Sequence, residues 1–172
     1  MSVVHYLARI LAPWQSTFSS SKALSTSVTT VHMLALFFGG GLAVAADRST
    51  LRLYRADAAD RIQQLRELRA VHRPVLVALS FLFASGAALV AADVEAFATS
   101  PVFWVKMGLV TLLLANGAVL TRTEWRLRQT TLPNDSEPVA TVSLWRRLRW
   151  SAVASVAFWT ATLIAGVVLT NT

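Results

Sequence analysis

Residues 28–46, VTTVHMLALFFGGGLAVAA, form a stretch of 19 residues without a fixed charge, closed by Asp47-Arg48. At about 1.5 Å per helical residue it approaches the thickness of a bilayer's hydrocarbon core, roughly 30 Å. The stretch holds one histidine, His32, and three consecutive glycines, Gly39, Gly40 and Gly41. In a water-soluble core helix each glycine would cost about 1 kcal/mol relative to alanine. In lipid, glycine lets a neighbouring backbone approach closely, and that packing offsets the loss. The stretch therefore predicts a membrane-spanning helix at the centre of the fold.

Three further stretches read the same way: 74–92, 102–121 and 151–169. With 55% hydrophobic residues and a mean hydropathy of +0.53, the chain is too apolar for an ordinary soluble domain of 172 residues. The expected fold is all-α, a four-helix transmembrane bundle over residues 26–172. Residues 1–25 form a separate segment. Within it, Val3, Leu7, Ile10 and Trp14 recur at helical spacing up to Pro13 and Gln15. That run is too short to span and lacks the basic start and cleavage site of a signal peptide. It predicts a short amphipathic helix lying in the membrane interface. The Ser/Thr-rich stretch 16–27 predicts a turn followed by helix caps. Ser100-Pro101 predicts the start of the third span, a cap followed by proline in the first turn.

The net charge of +7 would suggest nucleic acid if the cations were spread over a soluble surface. They are not spread. The first connection carries Arg48, Arg52, Arg55, Arg61, Arg66, Arg69 and Arg73; the third carries Arg122, Arg126, Arg128, Arg146, Arg147 and Arg149. The second connection, 93–101, has Asp93 and Glu95 and no base. The positive-inside rule puts the arginine-rich connections in the cytoplasm of a bacterial inner membrane and both termini outside. Nucleic acid drops out as an expected partner. The arginines read either as topology signals touching anionic lipid headgroups or as a docking face for an acidic partner protein. A tight turn is expected near Ala56-Asp57, and the loop of 130–141 is the one clearly flexible connection. Trp104, Trp145 and Trp150 fall near span ends, where indole rings favour the interface.

The chain has no cysteine, which removes disulfides, thiolate metal sites and cysteine nucleophiles together. No phosphate-binding glycine loop, HExxH or serine–histidine–acid set is present. The ionisable groups within the spans then stand out. His32 and Lys106 each lie four residues into a span that starts on the outer side, level with Asp93 and Glu95. A polar cluster of His32, Lys106, Asp93 and Glu95 is one reading, and Asn116 lies deeper. The plain reading is that Lys106 snorkels, while His32 and Asn116 hydrogen-bond across helices. His32 is also the candidate ligand for a haem or chlorophyll-type pigment. His72 is a full membrane away, so a bis-histidine haem would have to use His5 and His32. In the fourth span Ala157, Ala161 and Ala165 recur every four residues, and with Gly39, Gly40 and Gly41 they predict helix-packing faces.

The segments TVHMLALFFGGGLAVAADRSTLRL and FASGAALVAADVEAFATSPVFWVKMGLVTLLLAN, between an amphipathic N-terminal helix and a last apolar helix, carry a resemblance. The chain resembles small four-helix bacterial integral membrane proteins of unknown function, distantly similar to the copper-resistance D type. The matching positions are His32, Gly39, Gly40, Gly41, Asp47, Arg48, Gly86, Phe97, Pro101, Phe103, Lys106 and Asn116. Members often carry a further histidine near the end of the third helix, where this chain has Thr121-Arg122-Thr123. The resemblance implies a fold and a membrane location, with no activity attached. The leading expectation is a non-enzymatic accessory subunit packing against other transmembrane subunits, copies of itself, lipids or pigments. A cofactor protein using His32, and a small ion or metal carrier using His32, Lys106 and Asn116, are the alternatives.

Overall fold

The computed structural model describes residues 3–52, 58–130 and 139–169, with the side chains of 58–67, 69, 130 and 139–141 left aside. Arg55 and the turn expected at Ala56-Asp57 lie outside the described residues, as do residues 131–138 and the side chains of Arg61, Arg66 and Arg69. Among the described residues every regular element is a helix: α1 (Val3–Ser20), α2 (Lys22–Arg52), α3 (Ala58–Ala92), α4 (Val94–Thr99), α5 (Pro101–Thr130) and α6 (Val139–Leu169). Four of them, α2, α3, α5 and α6, contain segments long and apolar enough to cross a membrane. These four match the expected spans. The 31-residue α2 is about 46 Å long, well beyond a hydrocarbon core of roughly 30 Å. The spanning helices therefore project past it at the end that carries the arginine-rich connections, here called the arginine end. The opposite end is the histidine end.

α2 is the middle helix, with α3 against one side and α6 against another, and α5 packs on α6. Consecutive glycines make this possible. A Cβ on Gly39 would stand 3.0 Å from the Ala78 methyl of α3, and one on Gly40 would stand 3.2 Å from the Trp159 ring of α6. Adjacent helical positions point about 100° apart, so each glycine admits a different neighbour. Gly41 has no atom within 4 Å of its Cβ position. No described glycine has positive φ, so these residues serve close approach and not turns.

Two expectations change. The Ser/Thr-rich stretch does not break the first helix early. α1 runs through Pro13 to Ser20 because Ser16, Thr17, Ser19 and Ser20 each donate a side-chain hydrogen bond to a carbonyl three or four residues back. Bonded back to carbonyls in this way, the hydroxyls are accommodated inside a helix and do not act as caps. The break shrinks to Ser21, whose hydroxyl accepts from Leu24 N–H and caps α2. The helix packs on α3 and α4, with Trp14 Nε1 donating to the Ala88 carbonyl at 3.0 Å. Its Val3, Tyr6, Leu7 and Ile10 face stays exposed.

The second change concerns α6. Its buried positions are Leu148, Ser151, Ala152, Ser155, Trp159, Thr162 and Ala165; apart from Ser151, which bonds Asn116 of α5, they run from Leu148 to Thr162 in alternating steps of four and three. Ala161 is half-buried and Ala157 is exposed. A ladder of fours turns about 40° per step around a helix with 3.6 residues per turn, so Ala157 points about 80° from Ala165 and off the buried seam. Alternating fours and threes keeps to the seam.

The largest fully buried side chains, Leu127, Leu148 and Thr123, are outside the apolar spans. Leu68, Leu127 and Leu148, at 6%, 0% and 0% exposure, cluster at the arginine end, with Ala46, Leu120, Leu144 and Trp145 around them. Trp145 thus faces protein, whereas Trp104 and Trp150 remain exposed. Truncating Leu127 to alanine should cost about 2–5 kcal/mol, the usual range for a buried leucine. Leu112→Ala, in the middle of α5 and exposed, should cost much less. Thermal unfolding of both variants in one detergent measures the difference.

Candidate functional site

Two groups of polar side chains sit inside the bundle, one towards each end. At the histidine end, His32 of α2 faces α3, with Nδ1 3.0 Å from Ser85 Oγ. The Ser85 hydroxyl has one proton, and its nearest acceptor is the Phe81 carbonyl at 2.6 Å. When that hydroxyl donates to the carbonyl, Ser85 Oγ accepts from a ring protonated on Nδ1; in the other tautomer the hydroxyl donates to Nδ1. Gly86 makes room for the ring, since a Cβ there would stand 3.3 Å from His32 Cε1. Lys106 of α5 is half-buried. Its Nζ lies 3.5 Å from the Cβ position of Gly166 on α6. Two glycines on neighbouring helices thus leave the space that His32 and Lys106 fill.

The structure divides the remaining expected members of that cluster. Asp93 caps the short helix α4, accepting from Ala96 N–H at 3.2 Å. Glu95 pairs with His5 of α1 at 3.0 Å, and both side chains are more than half exposed. His5 is therefore engaged with α4, and His32 with α3. Asn116 belongs to the second group. Its Nδ2 donates to the Ser151 carbonyl at 2.8 Å, and the Ser151 hydroxyl donates to Asn116 Oδ1 at 2.9 Å. This two-way bond ties α5 to α6.

The second group also holds Asp47, 4% exposed between α2 and α6. It lies fifteen residues beyond His32 on α2, about 22 Å along the axis. The Ser155 hydroxyl bonds its carboxylate, while Oδ2 has no hydrogen-bond partner among the described residues. A buried carboxylate oxygen without a partner is costly. Thr162 Oγ1, also buried, is in the same position. Closer to the arginine end, Glu124 is buried and paired with Arg128 one turn along α5.

Reading Asp47-Arg48 as the end of a span missed this burial. The signal was present: Asp47 lies seven residues, about two turns, beyond Gly40, on the face that Gly40 turns to α6. Ser85, Ser155 and Gly166 carried no mark in the sequence. Of the cationic residues singled out, Arg48, Arg52, Arg73, Arg146, Arg147 and Arg149 are all exposed. Among the described residues no three or more His, Cys, Asp or Glu side chains come together as a metal site.

Compared with family models, curated proteins and solved structures, the chain matches none. The resemblance drawn above rests on the quoted residues alone.

The carboxylate of Asp47 is the polar group worst served by its surroundings. Asp47→Asn removes its charge and retains an acceptor for Ser155. It should leave the thermal midpoint in detergent unchanged or raise it. Ser155→Ala strips the carboxylate of its bond and should lower the midpoint, by about 1–3 kcal/mol in stability. A large loss in Asp47→Asn would mean that Oδ2 has a stabilising partner.

Proposed function

We propose that this chain is a non-enzymatic multi-pass protein of the bacterial inner membrane, with its arginine end in the cytoplasm, acting as an accessory subunit of a larger membrane assembly. One observation carries the reading. Gly41, Gly108 and Gly117 lie on spanning helices, and nothing comes within 4 Å of their Cβ positions. Each glycine inside a helix costs about 1 kcal/mol relative to alanine. Gly39 and Gly40 recover that cost through close packing inside the chain, and the other three do not. A further transmembrane helix, from another subunit or a second copy, would recover it by the same close approach. Exposed Ala157 on α6 adds to the surface open to such a helix.

The asymmetry of the connections supports the orientation. The two connections at the arginine end hold the thirteen arginines from Arg48 to Arg149, and the connection at the histidine end holds none. Anionic lipid headgroups are natural neighbours of the exposed arginines. The apolar face Val3–Ile10 of α1 suits a helix lying along the outer interface.

A second reading rests on His32, half-buried between α2 and α3 beside Gly86. In the tautomer that donates from Nδ1 to Ser85, Nε2 would present a lone pair to the metal of a haem or chlorin.

Solubilisation in mild detergent from cells at native expression tests the proposal. The chain should elute with a stoichiometric transmembrane partner or as a homo-oligomer, and replacing Gly41 or Gly108 by leucine should weaken that association. A lone monomer would contradict the accessory role. A visible absorbance band lost in His32→Ala would favour the pigment reading.

A further inference from the structure

An apolar groove runs along the outer surface of the bundle between α2 and α3. Leu34, Phe38 and Leu42 form one wall; Val77 and Phe81 form the other, and Arg73 closes it at the arginine end. Leu34, Phe38, Val77 and Phe81 are all about half exposed or more, so their side chains line the groove without filling it. Two contacts give α2 and α3 one antiparallel register. Gly39 meets Ala78 and His32 meets Ser85, so seven residues along α2 correspond to seven back along α3. In that register Arg73 lies level with Val44, just beyond Leu42. From Val31 to Leu42 the groove extends about 16 Å, close to half of a hydrocarbon core of roughly 30 Å. On the stretch 28–46 the lining begins three residues inside the histidine end, and Arg73, level with Val44, lies two residues inside the arginine end, so the groove's one cation stands near the phosphates of that end.

We propose that this groove binds an anionic phospholipid of the leaflet at the arginine end, one acyl chain lying between α2 and α3 and the phosphate on Arg73. Charge selects this occupant. A purely apolar occupant would have no use for a guanidinium at the mouth. Arg73 donates to the phosphate oxygens with its planar fork. The inference deepens the proposed function by naming a lipid of that surface. It depends on the spanning helices and not on any partner subunit or on which way the bundle faces the cytoplasm.

Delipidated protein in detergent is titrated with phosphatidylglycerol or phosphatidylcholine of identical acyl chains, and bound lipid is counted by native mass spectrometry. The expected result is preference for phosphatidylglycerol of about five-fold, the size one arginine gives at an anionic surface. Arg73→Gln should abolish that preference, and Arg147→Gln, an exposed arginine of α6 outside the groove, should keep it. Val77→Trp, or Leu34→Trp should the first variant misfold by circular dichroism, should fill the groove and lower binding of both lipids. Equal binding of the two lipids by the parent chain would overturn the proposal. So would a preference that survives Arg73→Gln, or unchanged binding in a folded tryptophan variant. A protein helix that co-purifies on the groove and resists phosphatidylglycerol would also overturn it. A chain that elutes without partner subunits would count against the accessory role and leave this result standing.

Discussion

The arrangement of the bundle depends on two adjacent glycines in α2. A side chain at either position would push a neighbour away: Ala78 at Gly39, Trp159 at Gly40. Because neighbouring residues point about 100° apart on a helix, the pair lets α3 and α6 close on α2 from different directions. Other contacts follow from these two. The approach of α3 at Gly39 sets the register in which His32 reaches Ser85. The approach of α6 at Gly40 brings Ser155 to Asp47, and α6 in turn holds α5 through Asn116 and Ser151. The polar groups of both ends are thus placed by a contact near the middle that contains no polar atom.

The same four helices pass through two solvents, and burial records the change. Within the spans, large apolar side chains such as Phe37, Phe81 and Val105 point outwards, as lipid allows. Lipid tails give no hydrophobic drive for association, so small residues and interhelical hydrogen bonds do the packing there. Past the spans, arginines alternate with leucines, and Leu68, Leu127 and Leu148 turn inwards together. That is the pattern expected where water returns and burial of apolar surface again stabilises. The inward leucines therefore mark the side of the bundle that leaves the membrane as a packed unit.

Much of this was legible in the residues. The length and charge of the four stretches predict the spans, and all four are there. Ser100-Pro101 predicts the start of α5, and Ser100 Oγ accepts from Phe103 N–H as a cap. Asn116 deep in a span reads as an interhelical hydrogen bond, and the structure has it. What escaped were properties that depend on a neighbour. Hydroxyls that cap in one context bond back to carbonyls in another, so α1 runs further than its Ser/Thr content suggested. Asp93 and Glu95 are level with His32, but nearer partners in α4 and α1 take them. Asp47 reads as the last residue of a span until α6 covers it, and Trp145 reads as an interface anchor until the leucine cluster takes it in.

The most direct test is to place leucine, one at a time, at the three consecutive glycines and to compare thermal unfolding in lipid nanodiscs. If α2 is held by Gly39 and Gly40, both of those variants should lose several kcal/mol, in the range of overpacked or displaced core contacts. Gly41→Leu should be neutral or slightly stabilising, because it gains about 0.8 kcal/mol of helix propensity and meets open space. Equal damage at all three positions, or tolerance at Gly40, would contradict the account.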